Sequence, residues 1–447
     1  MRYKNPFSIK AVAYVVAAVM LISPFYTPLY VWAVSNFENF YFFRVWKELA
    51  LIVVAAIIVN FIFHHLSLLK QLMRKPIIFI PLAYILFILI VAAIDFATGR
   101  VSYKAILQGL ILDLRLPGFF LLVLLAASVA KDKLRGLPWL KIIFFPAGIV
   151  TLFGLMQMFI LSDNILTHIG YGPQTVTPYQ LVDQNPDFVR VQSTLPGPNP
   201  LGAYLLLVIT LSVALILTTI KKSPKLLLLV GAAAILLFGS YSRSAEIGTI
   251  IALAVLFGLS RKKAFARHTV AAVGIVLITL SSLSFFWLRD NDFIQNAVFH
   301  SSEVSPSQES SNAQRLEAIK GGAKDIINNP LGGGVGSAGP ASRRNLNSEP
   351  KISENYFVQI GQELGVAGLI LFLSMLGLII KELWKVKDQP LGRALLASLA
   401  GITFINLVSH AWTDDTLAYL WWGLAGVACS PVILPSKQKA DAKVIKI

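Results

Sequence analysis

The chain has 447 residues, of which 56% are hydrophobic and 14% are charged. Soluble globular domains carry about 25% charged residues, so this composition excludes an ordinary soluble protein. Apolar runs of about 20 residues, long enough to cross a bilayer, recur along the whole length. We therefore predict an all-α integral membrane protein.

About twelve transmembrane helices are predicted, because the apolar runs alternate with polar or charged connections. Their approximate bounds are 9–34, 46–63, 77–95, 102–129, 139–160, 200–220, 226–241, 243–260, 269–288, 355–380, 391–411 and 416–436. The first run is too long for a secretory signal and is expected to remain as a helix.

These spans divide the chain into six regions. Residues 1–160 hold spans one to five, 161–199 an external loop, 200–288 spans six to nine, 289–353 a large external (periplasmic) loop, 354–436 spans ten to twelve, and 437–447 a cytoplasmic tail.

The net charge of +16 reflects membrane topology rather than binding to nucleic acid. Of the 39 Lys and Arg residues, 25 fall in alternate connections beginning with the N-terminus, and 12 fall in the other connections. Seven of those 12 lie in the 289–353 loop, which is long enough to be translocated whatever its charge. Because positive charges stay inside, both termini are predicted to be cytoplasmic.

Metals and cofactors are not expected. Cys429 is the single cysteine, and the sequence contains no Cys/His cluster with metal-ligand spacing.

Charged residues in the first half of the chain allow different interpretations. Asp95 and Arg100 fall at an external membrane edge, where solvated boundary charges are expected. Asp113 and Arg115 lie near the middle of span four, two residues apart, so a helix places them on nearly opposite faces and they cannot simply neutralise each other. Each either pairs with a neighbouring helix and fixes packing, or contacts substrate.

Two external arginines flank the sixth to eighth spans. Arg190 ends the polar loop 161–199, whose prolines and glycines predict an irregular segment leading into span six. Arg190 taken alone could also be a headgroup-contacting charge. Arg243 lies in the tight external turn 240–244, where a positive residue runs against the topology rule, and this favours a functional role.

The large external loop contains one predicted helix. Ser311 and Gln314 form a capping box. An apolar stripe at helical spacing follows, and its members are Leu316, Ile319, Ala323, Ile326 and Ile327. We predict an amphipathic helix over 312–328, lying on the membrane or across the top of the bundle. Arg315 falls at the edge of this stripe.

A glycine-rich run follows that helix. Residues 334–339 spell the dinucleotide fingerprint, but no strand precedes them, so a nicotinamide site is rejected. The glycines are better explained by tight turns and close approach of the backbone.

Several polar and aromatic residues near spans ten to twelve have structural explanations. Glu354 opens span ten, where a carboxylate favours the positive end of the helix dipole. His410 is expected to pack or to form a hydrogen bond. An interfacial aromatic belt is predicted for Tyr356, Trp412, Trp421 and Trp422.

The external residues together suit one kind of chemistry. Arginine binds phosphate through a rigid fork and never loses its charge, so Arg190, Arg243 and Arg315 could stabilise a diphosphate leaving group without a metal ion. Glu354 could take the proton from an attacking hydroxyl. These parts suit glycosyl transfer from a lipid diphosphate to a hydroxyl at the outer leaflet.

Short motifs in this region resemble the bacterial O-antigen ligase and O-antigen polymerase superfamily. The motifs are Pro198-Asn199-Pro200-Leu-Gly202, Ser242-Arg243-Ser244, Arg315, Asn329-Pro330-Leu-Gly332, Gly334-Val-Gly336, Glu354-Asn355-Tyr-Phe-Val-Gln359 and Glu363-Leu-Gly365. The resemblance implies an integral membrane glycosyltransferase of the GT-C type in the bacterial cytoplasmic (inner) membrane. Such enzymes use an undecaprenyl-diphosphate-linked glycan and a lipid, protein or sugar acceptor in building cell-surface polysaccharide.

The resemblance also implies roles for individual residues. Arg190, Arg243 and Arg315 are expected to contact the diphosphate, Glu354 and Asn355 are candidate catalytic residues, and Arg115 and Asn199 are possible site residues. Ligases of this family usually have a histidine before the asparagine, where this chain has Glu354. That departure leaves a polymerase or another ligase open.

The alternative is a polytopic transporter of a lipid-linked or small-molecule substrate. Carriers built as two sets of six spans usually have a long cytoplasmic link after span six, whereas this chain has its long loop outside, after span nine. The two halves also show no similarity to each other. A purely structural scaffold would leave the external arginines unexplained.

Overall fold

A computed structural model describes residues 6–37, 41–64, 66–129, 137–182, 185–218, 224–260 and 311–430. The described residues are mostly helical, at 78%. The predicted ninth span (269–288), the first part of the large loop and the tail (437–447) lie outside the described residues. The predicted capping box at Ser311 and Gln314 lies outside the described side chains.

The first half of the chain forms seven described helices. They are α1 (Pro6–Ile22), α2 (Tyr26–Asn36), α3 (Tyr41–Phe63), α4 (Leu66–Met73), α5 (Pro76–Thr98), α6 (Tyr103–Val129) and α7 (Trp139–Phe159).

The second half adds eight described helices. They are α8 (Pro198–Ile216), α9 (Pro224–Gly239), α10 (Arg243–Leu259), α11 (Ser311–Asn328), α12 (Gly339–Ser342), α13 (Tyr356–Lys385), α14 (Pro390–Val408) and α15 (Asp415–Cys429).

Eight described helical segments are long and apolar enough to cross a membrane. They are Ala11–Asn36, Val45–Phe63, Pro76–Thr98, Tyr103–Ala127, Trp139–Phe159, Pro198–Ile216, Tyr356–Lys385 and Pro390–Val408. Three further predicted spans correspond to the shorter helices α9, α10 and α15, of 16, 17 and 15 residues. The total of twelve and the side of each terminus stay predictions.

The loop 161–199, which is predicted to be external, is less irregular than predicted. It contains a small antiparallel hairpin of β1 (Gln180–Val182) and β2 (Asn185–Arg190), in which Gln180 pairs with Arg190. Pro186 within the second strand argues against a central strand, but a two-stranded hairpin has only edge strands, where proline is tolerated.

Small residues bring α8, α10 and α14 into close contact. Gly248 of α10 and Gly401 of α14 face each other so closely that a Cβ on either would clash with the other's carbonyl oxygen. Close backbone approach of this kind is a common way to pack helices in a bilayer. Arg393 near the start of α14 donates to Ser260, just after the end of α10, so the two helices run antiparallel.

The predicted interfacial aromatic belt is wrong. Trp412, Trp421 and Trp422 are each at most 1% exposed, and their ring centroids lie 5.3–5.5 Å apart. Phe372 of α13 packs on Trp422, and Tyr356 packs on Phe372. These aromatic residues fill the interior of the helix bundle, where α13, α14 and α15 converge. Their positions near the ends of predicted spans did not indicate this burial.

Helix α13 is interrupted at Gly365, whose φ of 70° and ψ of −170° are not helical. The break releases backbone carbonyls that a continuous helix would use internally. Gln362 accepts from the amide of Gly333 at 2.7 Å, and Glu363 accepts from the amide of Gly334 at 2.9 Å. In return, the amide of Val366 donates to Pro330 at 2.9 Å. The Asn329–Gly334 and Glu363–Gly365 motifs are therefore one structural unit.

The other side of the glycine-rich loop rests on α5 and α6. Asp95 accepts from the amide of Val335 at 2.7 Å and pairs with Arg100, which also donates to the carbonyl of Gly332 at 3.2 Å. Asp95 is 0% exposed, so the prediction of a solvated boundary charge is wrong for this residue. Gly336, at φ 81°, packs on the backbone of Ala105. The expected tight turns and close backbone approach are confirmed.

Helix α11 confirms the predicted helix at 312–328, but its packed face only partly matches the predicted stripe. Gly322 lies against Val358, and Ile326 lies against Gly361 of α13. Leu316 and Ile327 are 53% and 79% exposed. A search for large apolar residues could not identify Gly322. This glycine contributes to packing because it has no side chain and lets α11 come close to α13.

Substituting Gly365 by alanine should destabilise the fold. At φ 70° and ψ −170° the backbone is in a region essentially restricted to glycine, which costs a residue with a Cβ about 1–3 kcal/mol, and here that Cβ would also clash with the carbonyl of Pro330. We expect a lower apparent Tm of the purified protein in detergent. Gly377→Ala, in the same helix with open space around it, is the matched control and should be neutral or slightly stabilising. Equal Tm values for the two variants would contradict this account.

Candidate active site

Arg190, Asn199 and the turn before Arg243 form one cluster. The Nε of Arg190 donates to the carbonyl of Ser240 at 3.0 Å, and its Nη2 donates to Oδ1 of Asn199 at 2.7 Å and to the carbonyl of Tyr241 at 3.4 Å. Two predicted site residues, Arg190 and Asn199, therefore meet each other and the turn that precedes Arg243.

Local backbone geometry fixes this cluster. Tyr241 has a φ of 49°, which turns the chain sharply between α9 and α10. A Cβ at Gly202 would lie 2.7 Å from the Cβ of Ala245 and 3.0 Å from that of Ser242, so only glycine allows α8 to approach α10 this closely. The N-termini of both helices are thereby held beside Arg190.

Helix N-termini and arginine side chains favour the same kind of ligand. The first amides of a helix lack intrahelical partners and carry partial positive charge, so they attract phosphate and other anions. Arg243 is the first residue of α10, and Asn199 is in the first turn of α8. Glu246 adds one negative charge to the first turn of α10. The cluster combines the guanidinium of Arg190 with two helix starts, although Pro198 and Pro200 leave the start of α8 with few amide donors.

Arg315 and Glu354 form a second pair. The Nε of Arg315 lies 3.9 Å from Oε2 of Glu354, and both side chains are about a third exposed, at 34% and 35%. Glu354 has a φ of 52°, a left-handed conformation that is unfavourable for a residue with a Cβ. Such strain persists where the surroundings fix it, and it is common at functional sites.

Asn355 fixes the backbone beside Glu354. Its Oδ1 accepts from the amides of Phe357 and Val358 at 2.9 and 3.0 Å, which caps α13. Its Nδ2 donates to the carbonyl of Leu407 at 2.9 Å, near the end of α14. In this structure Asn355 is thus a cap and a tether, and a direct part in catalysis stays a prediction.

The C-terminal end of α14 allows the position of the Arg190 cluster to be compared with that of Glu354 and Asn355. Because α10 runs antiparallel to α14 with Gly248 opposite Gly401, Arg243 lies five residues further toward the C-terminal end of α14. Five helical residues span about 7 Å, so Arg243 is near the level of Leu407, where Asn355 is anchored. The arginine cluster and Glu354 therefore lie at the same end of the bundle.

Arg115 lies in a buried ion-pair network. Its Nη2 is 2.6 Å from Oδ1 of Asp415, and its Nη1 donates to the carbonyl of Thr413 at 2.9 Å. Lys47 of α3 pairs with the second oxygen of Asp415 at 2.7 Å. Asp113, on the other face of α6, lies close to the buried carboxyl group of Glu363. Arg115 thus pairs with a neighbouring helix, and a contact between Arg115 and substrate stays a prediction.

Sequence reasoning missed the buried acid that supports the glycine-rich loop. Glu363 is 1% exposed, and its Oε1 accepts from the amide of Ala338 at 3.3 Å. A carboxylate within an apolar span was the available signal, since such groups are rare and usually have a specific partner. Among the described residues, no group of three or more His, Cys, Asp or Glu side chains could hold a metal ion.

One family model matches part of the chain. Residues 227–373, about a third of the chain, match the family model described as O-Antigen ligase. The match supports the O-antigen ligase and polymerase superfamily that the motifs predict, and it covers Arg243, Arg315, Glu354 and the glycine-rich loop.

The match supports, in general terms, an O-antigen ligase/polymerase-like membrane glycosyltransferase. No curated protein matches the chain.

His410 should make the folded state less stable as the pH is lowered from about 6.5 to 4. Burial lowers the pKa of His410, which lies two residues after the end of α14, from 6.5 to about 4. The folded state therefore favours neutral His410, and its advantage is complete above the unfolded pKa and lost as the pH falls through this window. Burial of Asp414 raises its pKa to about 7, which acts in the opposite direction.

The measurement is the apparent Tm between pH 7.5 and pH 4.5. His410→Gln should lose less Tm on acidification than the wild type does. His168→Gln, at an exposed external position, should behave as the wild type. An unchanged pH dependence in His410→Gln would contradict the assignment.

Proposed function

We propose that the chain transfers a glycan from an undecaprenyl-diphosphate donor to an acceptor hydroxyl at the outer face of the cytoplasmic membrane. The observation that carries the proposal is the cluster in which Arg190 joins the N-termini of α8 and α10, where Arg243 begins the second helix. Two arginines and two helix starts suit a diphosphate better than a neutral ligand.

The chemistry needs stabilisation of a leaving group and removal of a proton. As the bond between the sugar and the diphosphate breaks, negative charge grows on the diphosphate, and fixed cationic donors stabilise it. Arg190 and Arg243 supply such donors, and Arg315 adds a third where it lies beside Glu354. Glu354 is proposed to take the proton of the attacking hydroxyl, and Arg315 would then hold the carboxylate in place.

The distribution of charge supports the outer face. The cluster lies at the ends of helices connected by the loops that the positive-inside rule places outside, including 161–199. Whether the product is a longer polymer or a finished conjugate depends on the acceptor. Glutamate at position 354, where family ligases usually have histidine, keeps both outcomes in the proposal.

Removing Arg243 should abolish most glycosyl transfer. Loss of one donor to a developing charge typically lowers kcat by about 10²–10³-fold. The measurement is release of undecaprenyl diphosphate by purified protein, with a chelator present, from a lipid-linked oligosaccharide. Arg243→Lys should recover only part of the activity, because lysine keeps the charge but lacks the fork. Arg343→Ala removes an exposed arginine of the large loop and should be neutral.

Wild-type activity that requires added metal, or full activity of Arg243→Ala, would contradict this proposal. Mass analysis of the wild-type product would separate a polymer from a conjugate.

Substituting Glu354 by glutamine tests the proposed base. The change keeps the shape of the side chain and removes its ability to accept a proton, so kcat should fall by about 10²–10⁴-fold. Glu349→Gln, at an exposed site in the same loop, is the matched control and should retain activity. Full turnover of Glu354→Gln would contradict the assignment of Glu354 as the base and leave it with a structural role.

A further inference from the structure

A cavity of about 340 Å³ opens beside Arg190 on the side of the hairpin. It lies between the end of α7, the segment around the hairpin and the turn between α9 and α10. Its lining includes Gln157, Ser162, Tyr179, Arg190, Gln192 and Tyr241. The volume is at the lower end of the range of about 300–1,000 Å³ for small-molecule sites.

The wall of this cavity contains a buried amide with a fixed orientation. Gln192 is 1% exposed, and its Nε2 donates to the carbonyls of Thr177 and Pro178 at 2.9 and 3.1 Å. Its Oε1 is buried and has no hydrogen-bond partner among the described residues. A buried acceptor without a donor is unfavourable, and a ligand hydroxyl bound in the cavity could satisfy it after a small adjustment.

The cavity is held open by rigid backbone. Ser193, at φ 52°, donates its amide to Oε1 of Gln157 at 2.8 Å and its hydroxyl to the carbonyl of Val150 at 2.7 Å. On the opposite side, Tyr241 also has a left-handed backbone. Strained residues fixed by several hydrogen bonds give a preformed site, which reduces the cost of ordering on binding.

The lining favours a sugar ring over other ligands. A lipid tail would require an apolar cavity, whereas amides, a hydroxyl and a guanidinium occur here. A free phosphate would favour several cations, and Arg190 is the only cationic residue among those that line the cavity. Tyr179 and Tyr241 offer flat apolar faces with a polar end, and the amides of Gln157 and Gln192 are hydrogen-bonding groups suited to hydroxyls.

We infer that this cavity binds a sugar ring of a glycan substrate next to the diphosphate site, with Arg190 at the border between the two. The inference rests on the proposed glycosyl transfer for its biological meaning, but binding of a sugar can be measured without it. The ring could belong to the donor glycan, just beyond the diphosphate, or to a saccharide acceptor. Both sources have the same recognition chemistry.

The binding test uses the free oligosaccharide released by mild acid from the lipid-linked pool of the host, because it lacks diphosphate and lipid. Purified protein in nanodiscs should bind this oligosaccharide in calorimetry or saturation-transfer NMR. Tyr179→Ala should bind about tenfold more weakly, as expected for the loss of one aromatic contact. Tyr103→Ala removes a tyrosine that is 58% exposed and outside the cavity, and it should bind like the wild type.

Arg243→Ala separates this inference from the proposed function. It should bind the free oligosaccharide like the wild type although it has lost transfer, because Arg243 is assigned to the diphosphate. No binding by the wild type, or equal binding by Tyr179→Ala, would overturn the sugar site. Full transfer by Arg243→Ala alongside normal oligosaccharide binding would instead overturn the proposed function alone.

Kinetics distinguish the two sources of the sugar. If the cavity holds the donor glycan, Tyr179→Ala should raise the KM for the lipid-linked donor about tenfold and leave that for the acceptor unchanged. If it holds the acceptor, the opposite pattern is expected. Unchanged KM values for both substrates would overturn the inference.

Discussion

The non-helical break of α13 at Gly365 joins the glycine-rich loop to the helix bundle of this membrane protein. A continuous α13 would keep the carbonyls of Gln362 and Glu363 within the helix, but the break offers them to the amides of Gly333 and Gly334. Inside a bilayer, backbone groups need protein partners because hydrocarbon provides none. The glycine-rich loop can therefore enter the bundle only because α13 opens at this residue.

The same loop ties separate helices together. Asp95 binds the amide of Val335 and pairs with Arg100, while Glu363 binds the amide of Ala338. These contacts connect α5 with the glycine-rich loop and α13. Since Glu354 and Asn355 directly precede α13, the position of the proposed base depends on this frame. Strain at Glu354 is maintained by the cap and tether that Asn355 provides.

The arginines are positioned in two different ways. Arg190 is held by carbonyl and amide oxygens of the α9–α10 turn and of α8, which fixes its fork beside two helix starts. Arg115 instead shares Asp415 with Lys47 inside the bundle. Breaking such a buried pair leaves an uncompensated charge, typically at a cost of about 3–5 kcal/mol. The partners of Arg115 thus indicate a role in packing, whereas binding is the role proposed for Arg190.

The sequence by itself determined the membrane class, the main helices, the helix at 312–328 and the need for close backbone approach in the glycine run. These properties depend on local composition, on spacing and on the conformational freedom of glycine. The pairing of Arg190 with Asn199, the burial of Asp95 and the tryptophan cluster were decided only by tertiary structure. These features join residues that are far apart in the chain, or bury residues that were expected at the membrane edge. The periodicity of a sequence indicates which face of a helix is apolar, but it does not indicate which element packs against that face.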